Sequence, residues 1–245
     1  MKGRRLFVAA LVAALGPLGF ITTMLQAQTQ EPEVMQGARI AAQGTAAGAL
    51  PCAQCHAVNG VSDASGAFPR LVGQSADYLA EQLRDFASGL RTNALMTPIA
   101  QALSPDDIAD VSAYYAGIDA PFPPLVPGAA ALLKRGAQLA KLGSTGQQIQ
   151  SCDNCHGPDG AGEPPAIPYL AGQYAQYIVS TLEMWQQGDR KNSPDAMAVV
   201  AKKLGDDDVA AVAAYYQQVR ATLEATESRK AADSVTAAPE SQAKQ

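Results

Sequence analysis

Two copies of the pattern C-x-x-C-H contain every cysteine and every histidine of the 245-residue chain. These residues are Cys52, Cys55 and His56 in the first copy, and Cys152, Cys155 and His156 in the second. Two thiols at this spacing can each add to one vinyl group of the same haem, and the adjacent imidazole can bind the iron as its proximal ligand. The pattern therefore predicts two covalently bound haem c groups, with no thiol or imidazole left for another task.

Other sites also use C-x-x-C pairs. Four thiolates could hold one tetrahedral zinc ion, but zinc does not account for a histidine directly after each pair. A C-x-x-C pair can also form a disulfide or a thioredoxin-type redox site, which normally lies in a βαβ unit. No strand-like run lies near either pair, so haem is favoured over both alternatives.

The chain repeats itself with a period of about one hundred residues, which indicates a duplicated domain. Matching positions include Gly37 and Gly136, Pro69 and Pro168, Gln74 and Gln173, and the tyrosine pairs at 114–115 and 215–216. We expect a first domain at 28–120, a proline-rich linker with the second domain at 121–220, and a disordered tail at 221–245. The linker prolines favour extended polyproline geometry and hence a semi-rigid spacer between the two haems.

Residues 1–27 are predicted to be a signal peptide or an N-terminal membrane anchor. Lys2, Arg4 and Arg5 precede a charge-free stretch at 6–25, which is long enough to span a bilayer. Because the basic end stays in the cytoplasm, the rest of the chain is exported. We therefore expect a periplasmic protein that is either soluble or anchored to the outer face of the cytoplasmic membrane.

Each copy is predicted to be all-α, with about three main helices wrapped around a covalent haem. Helical spacing of apolar residues predicts these helices at 32–43 and 129–142, at 75–88 and 174–187, and from Ser104 onward with its counterpart in the second copy. Ser75 and Ser104 are candidate N-caps, and Pro105 suits the first helical position. We expect Gly37 and Gly136 to let the first and last helices of each copy cross closely.

The repeat also selects candidates for the second axial ligand of each iron. Met96 aligns with Met197, and the two follow their proximal histidines by 40 and 41 residues. Met35 aligns instead with Lys134, and Met184 with Asp85, which no shared ligand position would tolerate. We therefore predict Met96 and Met197 as the distal ligands, which raises the potential relative to bis-histidine ligation and leaves no open iron position.

The net charge of −5 argues against a nucleic-acid partner, which would require clusters of lysine and arginine. The charge is uneven, since residues 31–120 carry ten acids and four bases, while residues 121–220 carry nine acids and eight bases. This difference is consistent with ordinary surface solvation. It is also consistent with two faces that meet different partners.

With these motifs placed, residues 35–220 resemble a tandem class I cytochrome c, and most closely the dihaem cytochrome c4 family. The shared pattern comprises C-x-x-C-H, then residues 69–74, then Arg91-x-Asn93-x-x-Met96-x-Pro98, then the helix ending at 114–115. The resemblance implies haem propionate edges that face each other across the domain interface. The segment that leads from Arg190 to Met197 in the second copy is two residues longer than the one from Arg91 to Met96. Pro98 follows Met96, and no proline takes its place after Met197.

The resemblance implies an electron carrier between a respiratory donor, either a quinol-oxidising complex or a dehydrogenase, and a terminal oxidase or reductase. An alternative is a membrane-anchored dihaem subunit of a dehydrogenase or oxidase complex, associated through residues 6–25. A dihaem enzyme is disfavoured, because a peroxidase needs an iron that can open and thiosulfate oxidation in that family uses an axial cysteine. All four cysteines here belong to the haem motifs.

Overall fold

The computed structural model of the chain describes residues 34–122, 124–125 and 127–220, and both copies of the repeat fall in one compact unit. The helices of the first domain are α1 (34–43), α2 (Ala53–His56), α3 (Ala76–Ser88), α4 (Met96–Gln101) and α5 (Pro105–Gly117). Those of the second are α6 (Ala130–Leu142), α7 (Asp153–His156), α8 (Ala175–Gln187), α9 (Met197–Ala201) and α10 (Asp206–Gln218). The predicted all-α class and the three main helices per domain are confirmed. Short helices also form at the cysteine and methionine motifs, between the three main helices of each domain.

The helix boundaries follow from local hydrogen bonding. The Ser75 hydroxyl accepts a hydrogen bond from a backbone N–H in the first turn of α3, which ends at Gly89 in the left-handed conformation. At α5, the side chains of Ser104 and Asp107 each accept from the other's backbone N–H in a capping box. Pro105 occupies the first helical position, where its missing N–H costs nothing.

The first and last long helices of each domain cross at a glycine. A Cβ atom on Gly37 would lie 2.1 Å from the Asp110 carbonyl oxygen of α5, and one on Gly136 would lie 2.1 Å from that of Ala211 on α10. Both distances are far below van der Waals contact, so only glycine permits these crossings. The role predicted for the two glycines is confirmed.

Each domain has its own apolar core. The cluster of the first domain contains Ile40, Ala41, Leu79, Val111 and Tyr115, and Cys52 packs at its edge. The cluster of the second domain is larger and contains Trp185, and Cys152 packs at its edge. The core of each domain thus fixes the first cysteine of its haem motif.

Two glutamines join the domains through a pseudo-twofold pair of amide contacts. The Gln74 side chain donates to the Tyr169 carbonyl oxygen at 2.7 Å and accepts from the Tyr169 backbone N–H at 3.0 Å. The Gln173 side chain makes the equivalent bonds to Arg70, at 2.8 and 2.9 Å. Both glutamines are buried. Since all four bonds satisfy buried polar groups, they favour a single arrangement of the two domains.

The linker contacts both domains at Phe122. The guanidinium groups of Arg70 and Arg220 each lie over its ring, 4.8 Å from the ring centroid. The same ring lies 6.4 Å from that of Tyr169 and fills the space beside Gly172. The linker is therefore held against the interface at this residue, which adds to the stiffness that its prolines predict.

Several predictions concern residues that the structure does not describe. The leader or anchor at 1–27, including the stretch at 6–25, lies outside the described residues, and so does the tail at 221–245. Within the described ranges, no helix has the length and apolar character needed to cross a membrane.

Candidate haem sites

Each C-x-x-C-H pattern folds into one short helical turn, α2 or α7. In α2 the Cys52 carbonyl oxygen accepts from the backbone N–H groups of Cys55 and His56, at 3.2 and 2.9 Å. A helical turn brings residues three apart onto one face, so the two cysteines of each motif point to the same side. All four thiols are free. This arrangement fits thioether bonds to the two vinyl groups of one haem.

The proximal histidines are buried and oriented by backbone carbonyls. Nδ1 of His56 lies 3.3 Å from the carbonyl oxygen of Pro69, and Nδ1 of His156 lies 3.0 Å from that of Pro168. A ring that donates from Nδ1 has Nε2 available as a metal ligand, and the carbonyl fixes the ring's orientation. Pro69 and Pro168, which are matched positions of the repeat, thus play the same part in the two domains: the carbonyl oxygen of each orients the histidine of its own copy.

Burial also sets the protonation of these groups. It lowers the pKa of His56 and His156, against the opposing effect of the hydrogen bonds to the proline carbonyls. It raises the pKa of Cys52, and together with the nearby Asp153 carboxylate it raises the pKa of Cys152 to about 11. A neutral imidazole is the form that binds a metal ion, so the environment suits a proximal ligand.

The four cysteines do not form the zinc site considered as an alternative to haem. Across the described part of the chain, no three His, Cys, Asp or Glu side chains are grouped in a way that could hold a metal ion. The two C-x-x-C pairs therefore do not combine into a four-thiolate zinc site.

The candidate distal ligands occupy equivalent positions. Met96 is the first residue of α4 and Met197 the first residue of α9, and both are half-buried. Asn93 Oδ1 accepts from the Met96 backbone N–H at 2.9 Å, whereas Ser193 Oγ accepts from that of Met197 at 3.3 Å. In the second copy, where the segment before the methionine is two residues longer, Ser193 thus accepts the hydrogen bond that Asn93 accepts in the first copy.

A cleft of about 540 Å³ lies beside the Met96 segment, where the first domain meets the second. Its lining comprises Thr92, Asn93, Ala94, Thr97, Pro98, Met184 and Asp189. The cleft lies at the domain interface, where the resemblance places the haem propionate edges.

Sequence reasoning missed a polar cluster at the domain interface. Arg91 and Arg190 are both buried there, and the Arg91 Nε atom has no hydrogen-bond partner. Burial, and next the charge of Arg91, lowers the pKa of Arg190. The buried Asp85 carboxylate acts on Arg91, but it is one negative charge against two buried cations. The carboxylates of a bound haem would supply the remaining negative charge. The sequence feature that could have revealed this cluster is the arginine at the start of each segment that leads to a candidate methionine, Arg91 before Met96 and Arg190 before Met197.

A buried, carbonyl-oriented histidine beside two free thiols, repeated in two small helical domains, defines a protein built for two covalently attached haem c groups. The family model described as Cytochrome c matches residues 36–117 and 134–220. The chain belongs to the cytochrome c family.

Relatives and solved structures agree with this assignment. A protein named thiosulfate dehydrogenase electron acceptor, from Stutzerimonas stutzeri, is 40% identical over 205 residues, which cover 83% of this chain and 94% of the relative. Reduced cytochrome c4 from Pseudomonas stutzeri superposes with a TM-score of 0.63 at 33% identity, covering 69% of this chain and 93% of the other. A thiosulfate dehydrogenase (TsdBA) from Marichromatium purpuratum has a TM-score of 0.68 at 36% identity, covering 76% of this chain. The chain spans 40% of that longer protein.

These similarities establish the general function of the chain. The chain is a dihaem electron-transfer cytochrome with two covalent haem c groups and two tandem cytochrome c domains. It is a carrier and not an enzyme, and its partners are redox proteins.

Proposed function

We propose that the chain is a two-haem electron relay that works in the periplasm, either soluble or anchored to the outer face of the cytoplasmic membrane. When bound, each haem c exchanges one electron between ferric and ferrous iron. The observation that carries the proposal is the pair of equivalent haem sites on one unit, joined by the buried contacts of Gln74 and Gln173. Fixed domains keep the distance between two redox centres constant, which supports transfer from one to the other.

In this proposal the protein holds each haem through four side chains. Two cysteines form the thioether bonds, and a histidine and a methionine bind the iron from opposite sides. The residues are Cys52, Cys55, His56 and Met96 in a domain at 28–120, and Cys152, Cys155, His156 and Met197 in the segment at 121–220. The free thiols, the orientation of both histidines and the matched positions of Met96 and Met197 support this set.

The donor in this proposal is a thiosulfate dehydrogenase, and the acceptor is a terminal oxidase or reductase. The support is the Stutzerimonas stutzeri relative, whose similarity extends over 94% of its length. The chain itself has no cysteine beyond its two haem motifs. It therefore lacks the axial cysteine expected of the catalytic component and fits the accepting partner.

The test uses the haem-loaded, oxidised protein. It is mixed with thiosulfate and a purified thiosulfate dehydrogenase, and the ferrous haem absorption is followed in a stopped-flow instrument. We expect full reduction of both haems, and none when the dehydrogenase is omitted. Reduction by a quinol-oxidising complex with quinol, together with no reduction by the dehydrogenase, would contradict this donor.

A second candidate is a subunit held permanently in a dehydrogenase or oxidase complex. The Marichromatium purpuratum structure favours it, because there a region similar to this chain is part of a longer protein. N-terminal sequencing and co-purification distinguish the two candidates. A free relay purifies alone, whether it starts at Gln28 or retains residues 6–25, whereas a complex subunit co-purifies with its partner. The N-terminal sequence then shows whether a free relay is soluble or anchored.

A further inference from the structure

One side chain of the first domain joins polar groups from both domains. Gln82 lies on α3 and is buried. Its Oε1 atom accepts from Arg91 Nη1 at 2.9 Å, from Arg190 Nη2 at 2.7 Å and from Asn192 Nδ2 at 3.1 Å. A carboxamide oxygen has two lone pairs, so three donors saturate it. Two of these donors are charged guanidinium groups, and their hydrogen bonds to the shared oxygen offset part of the repulsion between them.

The backbone links the same two segments. Arg91 and Arg190 form an isolated antiparallel bridge, and the Lys191 N–H donates to the Leu90 carbonyl oxygen at 2.8 Å. The Thr92 hydroxyl also donates to the Asp189 carbonyl oxygen at 3.4 Å. The segments that lead to Met96 and Met197 are therefore paired across the domain interface.

The contacts that Gln82 and Asp85 make have no counterpart in the second copy. Gln82 corresponds to Thr181 in the second copy, and Asp85 corresponds to Met184. Asp85 Oδ2 accepts from Asn192 Nδ2 at 2.7 Å, next to the Gln82 contact. Gln82 and Asp85 of the first domain thus both accept from Asn192 of the second domain. Asn192 directly precedes Ser193, whose hydroxyl accepts from the Met197 backbone N–H.

We propose that Gln82 is a positioning residue through which the first domain holds the Met197 segment of the second domain, and so sets the potential of the second haem. The inference rests on the ligand assignment of the proposed function. The chain segment between Arg190 and Met197 is two residues longer than the one between Arg91 and Met96. A longer segment has more conformations to restrict, and the Gln82 and Asp85 contacts restrict it from outside its own domain.

The test compares three variants of the haem-loaded protein, without any redox partner. Gln82→Leu keeps the approximate volume and removes the acceptor, while Gln82→Glu keeps the acceptor and adds a negative charge. Gln187→Leu, at the exposed end of α8, is the matched control. The readouts are the two haem potentials and the paramagnetically shifted methyl signals, which distinguish the two haems.

In Gln82→Leu we expect the potential of the second haem to fall and the Met197 methyl signal to broaden. In Gln82→Glu we expect that signal to stay sharp and both potentials to fall, because the added charge stabilises ferric iron. An unchanged second haem in Gln82→Leu, with a change confined to the first haem, would overturn the proposal. If the wild-type protein shows no Met197 methyl signal, the ligand assignment is refuted. The potential of the second haem in Gln82→Leu would then still show whether Gln82 acts on that haem.

Discussion

Replacing Gln74 with leucine should strongly destabilise the contact between the domains. Leucine has a similar volume but removes the donor and the acceptor that Gln74 offers to the Tyr169 backbone, at 2.7 and 3.0 Å. Removing a partner from a buried polar group costs about 1–3 kcal/mol, so the two lost bonds imply about 2–6 kcal/mol. Transfer of the leucine side chain into the same buried space offsets about 1 kcal/mol of this loss.

The assay is guanidinium unfolding of the haem-loaded protein, followed by helical circular dichroism and by haem absorption. The matched control is Gln138→Leu, which makes the same exchange at an exposed position of α6 and should change the free energy of unfolding by less than about 0.5 kcal/mol. A Gln74→Leu variant as stable as this control would refute the argument that the glutamine pair fixes the domains.

Three further substitutions test other parts of the structure. Gly136→Ala should destabilise the second domain by about 1–3 kcal/mol in thermal unfolding, because its Cβ would lie 2.1 Å from the Ala211 carbonyl oxygen. The control Gly146→Ala should leave the stability unchanged, because the space around Gly146 is open. Asp208→Asn should cost about 1 kcal/mol near neutral pH, because the hydrogen bond from Arg135 lowers the pKa of Asp208. The difference from wild type should begin to shrink as the pH falls below about 4, the pKa of an unfolded aspartate, and should disappear only below the lowered pKa of the folded protein. Met96→His should lower the potential of the first haem in a redox titration without loss of cofactor, and an unchanged potential would contradict the ligand assignment.

Comparison of the two copies predicted much of the fold and the haem motifs. Apolar spacing located the long helices, and identical residues at matched positions located Gly37 and Gly136 at the crossings. The same matching selected Pro69 and Pro168, and the structure shows that their carbonyl oxygens orient the histidines. These features depend on local sequence or on symmetry, and both are visible in a single chain.

Residues that break the symmetry could not be found in this way. Gln82 and Asp85 align with Thr181 and Met184, so the comparison gave no reason to select them. Their role depends on how the domains pack, which no local pattern specifies. Asp208 shows the same limit, because the Gly205 N-cap before it has no side chain for a capping box and Asp208 pairs instead with Arg135 on α6.

Measurement of covalent haem tests the central claim most directly. The protein is denatured, extracted with acidified organic solvent and assayed as the pyridine haemochrome. We expect two haems to remain per chain, and one to remain when Cys52 and Cys55 are both replaced by alanine. Haem that is removed by the solvent, or stoichiometric zinc in its place, would contradict the account.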